Sequence, residues 1–170
     1  MTIPRGVKSI GYGAFSSCGK LRSVKIPDTV TKLSHDAFNL CYLLDDISVD
    51  ENNPEYRSID GSLYTKDGKT LIKAARKKSL VTFTIPEGVE IIERGALPTF
   101  HEYEKLIIPN SVRKIENNNF DKYKSIEFKN PVGWVDTGKI LFKNIPDKKL
   151  ADPIKARDLL KGQTGNWLKF

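Results

Sequence analysis

One stretch of the sequence decides the fold: Ile3-Pro4-Arg5-Gly6-Val7-Lys8-Ser9-Ile10-Gly11-Tyr12-Gly13-Ala14-Phe15-Ser16-Ser17-Cys18-Gly19-Lys20-Leu21-Arg22-Ser23-Val24-Lys25. Its pattern returns 23 residues later, and the Ile-Pro pair that opens it occurs at Ile3, Ile26, Ile85 and Ile108. A unit of this length cannot bury its own apolar side, so successive units must stack on one another. The sequence therefore predicts a solenoid.

Other columns keep the same step of 23 residues. Within each unit, Leu21-x-x-Val24-x-Ile26 alternates in polarity, which indicates a short strand with one buried side. The fourth unit is shorter, so Ile126 and Phe128 are expected at the Val24 and Ile26 positions. The columns are Val7, Val30, Val89 and Val112; Ile10, Leu33, Ile92 and Ile115; Cys18, Cys41, Phe100 and Tyr123; and Leu21, Leu44 and Tyr103.

The unit Ile-Pro-x-x-Val-x-x-Ile-Gly-x-x-Ala-Phe-x-x-Cys-x-x-Leu-x-x-Val-x resembles the BspA-like class of leucine-rich repeat. The match is specific in the first two copies and degenerate in the last two, where Glu93 and Glu116 replace Gly11. The asparagine of ordinary leucine-rich repeats is seen once, at Asn52, so no asparagine ladder is expected. The resemblance implies a mainly β fold: a leucine-rich repeat solenoid of short strands and turns, one inserted β-hairpin, and a C-terminal cap with a short helix.

The hairpin is predicted inside an insertion between the second and third copies. Two β-favouring runs, Ser58–Thr65 and Thr70–Lys73, flank Lys66-Asp67-Gly68-Lys69, and Asp-Gly between such runs is a strong hairpin signal. A similar element is interposed among repeats in BspA-like domains, which implies that the solenoid continues through it. The predicted organisation is a solenoid at 1–128, with repeats at 3–25, 26–49, 85–107 and 108–128 and the hairpin insertion at 50–84, followed by a cap at 129–170.

The cap is predicted because an exposed solenoid end is both a sheet edge and an open core. Gly133–Val135 and Lys139–Phe142 are expected to form terminal strands. Asp152 is a candidate N-cap, Pro153 suits the first helical position, and Ala156, Leu159 and Leu160 form an apolar stripe before Gly162. No similar cap precedes Ile3, so we expect truncation there or further repeats upstream.

The sequence offers little catalytic or metal-binding chemistry. Cys18 and Cys41 share a column and are expected to be two small buried residues with free thiols. His35 and His101 have no partner at a triad spacing, and Asp45-Asp46 and Asp50-Glu51 lack a calcium-loop spacing. We therefore expect a non-enzymatic protein that takes no metal and no cofactor.

The net charge of +7 is uneven along the chain. Residues 85–128 carry −2, whereas the excess of positive charge lies in the hairpin region and the cap. Nucleic-acid binding favours a continuous basic track, so no nucleic-acid partner is expected. Arg76, Lys77 and Lys78 are candidate contacts for an anion, either an anionic glycan or an acidic protein surface; the alternative is a merely solvated hairpin end.

The outward strand positions vary from repeat to repeat, which is how repeat proteins build extended binding surfaces. We predict that they form a partner-binding face. Resemblance to BspA-like proteins implies a secreted or surface-attached bacterial protein that contacts extracellular or host-matrix proteins, possibly glycans, without membrane insertion. The monomer is favoured, and the alternative function is an architectural spacer or stalk that presents another domain. The face residues are Ser23, Lys25, Asp46, Ser48, Lys105, Ile107, Ser125 and Glu127.

Overall fold

The computed structural model describes residues 1–76, 80–98, 103–118, 120–136, 143–144, 147–160 and 166–169. It is a β-solenoid of about five turns with a C-terminal cap. In chain order the elements are β1 (Ser9–Ile10), β2 (Ser23–Ile26), β3 (Lys32–Leu33), β4 (Asp46–Val49), β5 (Tyr56–Ile59), β6 (Ser62–Thr65), β7 (Thr70–Lys73), β8 (Thr82–Thr84), β9 (Ile91–Ile92), β10 (Tyr103–Ile108), β11 (Lys114–Ile115), β12 (Tyr123–Phe128), β13 (Trp134–Asp136), β14 (Lys143–Asn144), α1 (Asp147–Leu150), α2 (Pro153–Leu160) and β15 (Trp167–Lys169).

The turns of the solenoid stack their strands in two rows. The front row contains the longer strands, as the parallel pair β2–β4 and the parallel sheet β8–β10–β12. The back row contains the short strands, as the pair β1–β3 and the run β7–β9–β11. Each turn therefore contributes apolar side chains to the core from two sides, as the 23-residue repeat predicts.

The core follows from the alternation within each front strand. Val24 and Ile47 are neighbours in register and are fully buried, and Leu106 and Ile126 repeat this relationship in the second sheet. Burying an aliphatic side chain of this size contributes about 2 kcal/mol. Aromatic stacking adds to it between turns, since the rings of Phe15 and Phe38 are parallel at a centroid distance of 5.5 Å.

The last turn is shorter than the column alignment indicates. Tyr123 pairs with Tyr103 across β10 and β12, and their rings stack at a centroid distance of 5.4 Å. The placement of Tyr123 in the column of Cys18 was therefore wrong: it belongs to the column of Leu21. The expected positions of Ile126 and Phe128 are confirmed, because they pair with Leu106 and Ile108.

The insertion holds three antiparallel strands, β5–β6–β7, where a single hairpin was expected. The run Ser58–Thr65 is not one strand, because Asp60 and Gly61 turn the chain inside it. Both have positive φ, 49° and 71°, which is the conformation of a two-residue type I′ turn. The expected turn at Asp67-Gly68 is present as well, between β6 and β7.

These inserted strands separate the hydrophobic core into two clusters. Leu63 and Ile72 pack with the first two repeats, whereas Tyr64 and Leu71 pack with the later repeats and the cap. Because successive residues of a strand point to opposite faces, β6 and β7 are buried on both sides. The solenoid thus continues through the insertion, as the resemblance implied.

The insertion also contains a front-row strand that the sequence analysis did not separate from it. Strand β8 lies parallel to β10, with Phe83 opposite Leu106 and Thr82 opposite Lys105. The front row therefore resumes before Ile85. Strand β4 does not pair with β8; instead, Ile47 N–H donates to the carbonyl oxygen of Gly61 at 2.7 Å, in the turn between β5 and β6.

Two buried asparagines connect neighbouring turns. Asn53 is completely buried, and its Nδ2 donates to the carbonyl oxygens of Pro27 and Val30 at 2.8 and 2.9 Å. Asn118 Nδ2 donates to the carbonyl oxygen of Glu93 at 2.8 Å. Asn52, which the sequence analysis had equated with the repeat asparagine, only contacts Asp50 near the surface.

The cap closes both rows. Strand β15 adds to the back row antiparallel to β11, with Trp167 opposite Ile115, and β13 pairs with β15. Helix α2 packs against β12 at the end of the front row and buries Ala156 and Leu160. The predicted strand at Gly133–Val135 is present as β13, whereas Lys139–Phe142 lies outside the described residues.

The start of helix α2 has the predicted capping geometry. Asp152 Oδ1 accepts hydrogen bonds from the backbone N–H groups of Ile154 and Lys155 at 3.0 and 3.1 Å, and Pro153 is the first helical residue. These hydrogen bonds lower the pKa of the Asp152 carboxyl group. A proline is tolerated there because a first-turn N–H has no helical acceptor. The predicted Gly162 lies outside the described residues.

Candidate functional site

The predicted binding residues occupy equivalent positions on the outer side of the front row, which we call the outer face. In the first sheet, Ser23 lies opposite Asp46 and Lys25 opposite Ser48. In the second sheet the corresponding pairs are Lys105 with Ser125 and Ile107 with Glu127. All eight residues are therefore at outward strand positions, divided between two sheets because β4 and β8 do not pair.

The first half of the outer face is open to solvent. Ser23, Lys25 and Asp46 are exposed, and Ser48 is half-buried. Beside it is a shallow cavity of about 430 Å³, whose lining includes Lys25 and Ser48 together with residues of the Ile-Pro turns. A small polar group of a partner could enter this cavity while the strands contact the rest of it.

The second half of the outer face contains an internal ion-pair network. Glu127 lies 3.3 Å from Lys105 Nζ and 2.6 Å from Lys129 Nζ, through its two carboxylate oxygens. These lysines lower the pKa of Glu127. Ser125 Oγ donates to the carbonyl oxygen of Glu104 at 3.0 Å. The charges at this end are therefore partly neutralised within the face.

Thr82 and Thr84 belong to the same face, but the sequence analysis missed them. They lie at outward positions of β8, opposite Lys105 and Ile107. The signal was available, since Thr82-Phe83-Thr84-Ile85-Pro86 repeats the pattern of Ser23-Val24-Lys25-Ile26-Pro27. Assigning residues 50–84 to the insertion hid it.

The predicted anion contact at Arg76 already has an internal partner. Arg76 Nε donates to Asp45 Oδ1 at 2.8 Å, and the guanidinium is largely buried, with 12% of the side chain exposed. Arg22 lies 3.5 Å from the other carboxylate oxygen of Asp45. An external anion would therefore compete with Asp45 for Arg76. Lys77 and Lys78 lie outside the described residues.

Both cysteines are free thiols, but their environments differ. Cys41 is buried and its Sγ donates to the carbonyl oxygen of Phe15 at 3.0 Å. Burial raises the pKa of the Cys41 thiol. Cys18 is exposed, so its expected burial was wrong; it lies on the outermost described turn, where no neighbouring turn covers it.

The remaining titratable groups do not assemble a catalytic or metal site. His35 Nε2 lies 2.9 Å from Asp36 at the surface, and His101 lies outside the described residues. Among the described residues, no three histidine, cysteine, aspartate or glutamate side chains are grouped as metal ligands. None of the helices in the described ranges has the length and hydrophobicity needed to span a bilayer.

Three solved structures share this fold. A leucine-rich repeat protein from Eubacterium ventriosum ATCC 27560 is 22% identical with a TM-score of 0.60, covering 75% of this chain and 41% of that protein. The pneumococcal vaccine antigen PcpA is 22% identical with a TM-score of 0.58, covering 74% and 38%. A leucine-rich cell surface protein from Faecalibacterium prausnitzii A2-165 is 28% identical with a TM-score of 0.55, covering 69% and 37%.

This chain therefore spans about two fifths of the length of the solved proteins that it resembles. No curated protein matches it. A family model for the BspA type leucine-rich repeat region matches residues 1–67 and 73–150 with six copies. The 23-residue columns, the stacked parallel strands and this match lead to one conclusion: the chain belongs to the BspA type leucine-rich repeat family.

Proposed function

We propose that this chain is a non-enzymatic protein-binding module of a bacterial cell-surface or secreted protein, and that the outer face contacts the partner. The observation that carries the proposal is the register of the front row. Ser23 lies beside Asp46, and Lys25 lies beside Ser48, whereas the inward neighbours Val24 and Ile47 are both buried aliphatic residues. The scaffold is constant and the side chains it presents vary, which suits an extended recognition surface.

The chemistry of the outer face favours a partner with mixed polar and charged groups. Lys25 and Asp46 are exposed with opposite charges on adjacent strands. Such an alternation matches a protein surface better than a polyanion, because a polyanion would be repelled by Asp46 and Glu127. We therefore propose an extracellular or host-matrix protein as the partner, with a glycan as the next candidate.

The cellular location is proposed from the family and its relatives. One similar structure is a vaccine antigen and another is a cell surface protein. An exported protein is consistent with the few cysteines and with a fold stabilised by stacked repeats. In the absence of a catalytic group in the described residues, proteins of this repeat class act through their surfaces.

A spacer is the second candidate, and one structural feature favours it. Gly6 N–H donates to Thr29 Oγ1 at 3.2 Å, and Gly88 N–H donates to Ser111 Oγ at 3.0 Å. The same connection between turns thus occurs on both sides of the inserted strands. Repeated connections of this kind stiffen a solenoid along its axis, which is a property that a stalk requires.

A binding screen separates the two candidates. The chain is applied to immobilised extracellular-matrix proteins and to a glycan array, at physiological ionic strength so that unspecific charge attraction is screened. Saturable binding to a matrix protein supports the binding module. Uniform absence of binding to both panels would contradict it and favour the spacer.

A further inference from the structure

Lys73 ends strand β7 at the bend between the two rows, where its amine is shielded from bulk water. The side chain is half-buried, and Nζ donates to the carbonyl oxygen of Gly95 at 2.8 Å. Asp36 and Cys41 are the charged or ionisable groups that act on this amine. No carboxylate among the described residues forms an ion pair with it.

The amine borders a small cavity that opens to solvent. The cavity is formed where the bend of the second repeat meets the inserted strands, and Lys73 lines it together with Leu40, Cys41, Arg76 and Pro98. Leu40 is exposed at the surface, whereas Cys41 and Pro98 are buried. A small molecule can therefore approach Lys73 from solvent, but a large one is excluded.

Burial lowers the pKa of Lys73 to about 8, since the ammonium loses more hydration than the partial compensation from Cys41 and Asp36 restores. At pH 7.5 about a quarter of these amines are then neutral, against about a thousandth for an ordinary lysine. A neutral amine is a nucleophile, whereas an ammonium ion is not.

We propose that Lys73 is an acylation site, at which Nζ attacks small acyl donors of the acyl phosphate class. The nitrogen lone pair forms a bond to the carbonyl carbon, and the carbon–oxygen bond to phosphate breaks. Phosphate leaves with the electron pair, and the proton lost from nitrogen passes to solvent. The step needs no oxidant and no second protein.

The product suits the site better than the ammonium ion. An amide is neutral, so the cost of holding a charge in this half-buried position disappears. The amide N–H that remains on Lys73 can still donate to the carbonyl oxygen of Gly95. Acylation thus keeps the hydrogen bond between adjacent turns and removes the positive charge.

Cys41 is not a relay for the acyl group. Its Sγ donates to the carbonyl oxygen of Phe15, and burial raises the pKa of the thiol, so little thiolate is present near neutral pH. Direct attack by Lys73 is therefore expected, and replacement of Cys41 by serine should leave the reaction rate unchanged.

The test is acetylation by acetyl phosphate, followed by peptide mass spectrometry at a series of pH values. The internal control is Lys25, which is exposed on β2. At pH 7.5, Lys73 should be acetylated about tenfold faster than Lys25, since the gain in neutral amine exceeds the loss of intrinsic nucleophilicity that accompanies a lower pKa. Its rate should reach a plateau with a midpoint near pH 8, and the Lys73→Arg variant should lose the labelled peptide.

Two comparisons keep the result interpretable. In denaturant the preference for Lys73 should vanish, because burial creates it. The Cys41→Ser variant should react like the wild type. Equal rates at Lys73 and Lys25 in the folded protein, a rate at Lys73 that still rises steeply above pH 10, or loss of acetylation in Cys41→Ser would each overturn the proposal.

Discussion

Asn53 Nδ2 donates a hydrogen bond to the carbonyl oxygen of Val30 at 2.9 Å, 23 residues earlier in the chain. Asn53 therefore occupies the column of Val30 itself, and its amide replaces a hydrophobic contact by a polar connection to the preceding turn. Its Oδ1 accepts the N–H groups of Glu55 and Tyr56 at 2.9 and 2.8 Å. One buried side chain thus joins the second repeat to the start of the inserted strands.

Replacing Asn53 by alanine should destabilise the protein by about 3 kcal/mol, because the change leaves four backbone groups without their partner in a buried site. The measurement is the free energy of unfolding in urea. Asn52→Ala is the matched control, since Asn52 is the exposed neighbour, and it should change stability by less than about 0.5 kcal/mol. Equal effects of the two substitutions would refute the connecting role of Asn53.

Asp45 holds the largely buried guanidinium of Arg76. The Asp45→Asn variant should lose about 2 kcal/mol of stability, between the values for exposed and buried pairs, because Arg76 is left without its counter-charge. Glu104→Gln removes the exposed ion pair with Lys124 and should have almost no effect. Urea unfolding of both variants checks this, and a larger loss in Glu104→Gln would contradict it.

The cap should be required for a cooperative fold. Deleting residues 151–170 removes α2 and β15, which exposes the end of both rows, so aggregation or loss of cooperative unfolding is expected. A milder pair of variants avoids the problem of a chain that does not fold. Leu160→Ala should cost about 3 kcal/mol because Leu160 is buried, whereas Ile154→Ala on the exposed side of the same helix should cost little. An unchanged, monomeric deletion variant would refute the cap assignment.

The two stacked glutamates Glu93 and Glu116 should show opposite dependence on pH. Burial, followed by repulsion from Glu116, raises the pKa of Glu93 despite the opposing effects of His35 and Lys114. The folded state therefore binds this proton more tightly than the unfolded chain, and stability falls as pH rises through the raised pKa. Glu93→Gln should raise the melting temperature at pH 7 and leave it almost unchanged at about pH 3.5.

Glu116→Gln is the opposing control. Burial alone would raise the pKa of Glu116, but its hydrogen bond from Lys114 Nζ at 2.6 Å and its other favourable contacts outweigh burial and lower it. Its contribution is present above the unfolded pKa and is lost as pH falls through the lowered folded value. Glu116→Gln should therefore lower the melting temperature at pH 7, by an amount that shrinks in acid. Shifts of the same sign in both variants would be inconsistent with this electrostatic pair.

The solenoid and its outward positions were predictable because stacking enforces one repeat length wherever the turns are regular. Val24 over Ile47 follows directly from the 23-residue step. The step fails between Tyr103 and Tyr123, which pair although only 20 residues separate them. The aromatic side chain at Tyr123 fits two columns that lie three residues apart, so composition alone could not choose between them.

The inserted segment was the less predictable part for a related reason. Asp60-Gly61 carries the same turn signal as Asp67-Gly68, but the β-favouring residues around it obscured the break in the strand. The division of the core also depends on packing, since Leu63 and Tyr64 are both apolar and only the tertiary structure shows that they face different clusters. The second partner of Arg76, the carboxylate of Asp45, comes from a distant repeat and leaves no local signature.

The proposed binding face is tested most directly by comparing Lys25→Glu with Lys32→Glu for binding to the extracellular-matrix protein panel. Both lysines are exposed on short parallel strands, and both variants make the same change of charge. Lys25 lies on the outer face of the front row, whereas Lys32 lies on the back row. We expect Lys25→Glu to weaken binding about tenfold and Lys32→Glu to leave the Kd unchanged. A wild-type chain that binds nothing in the panel, or a loss that is equal in the two variants, would contradict binding through the outer face.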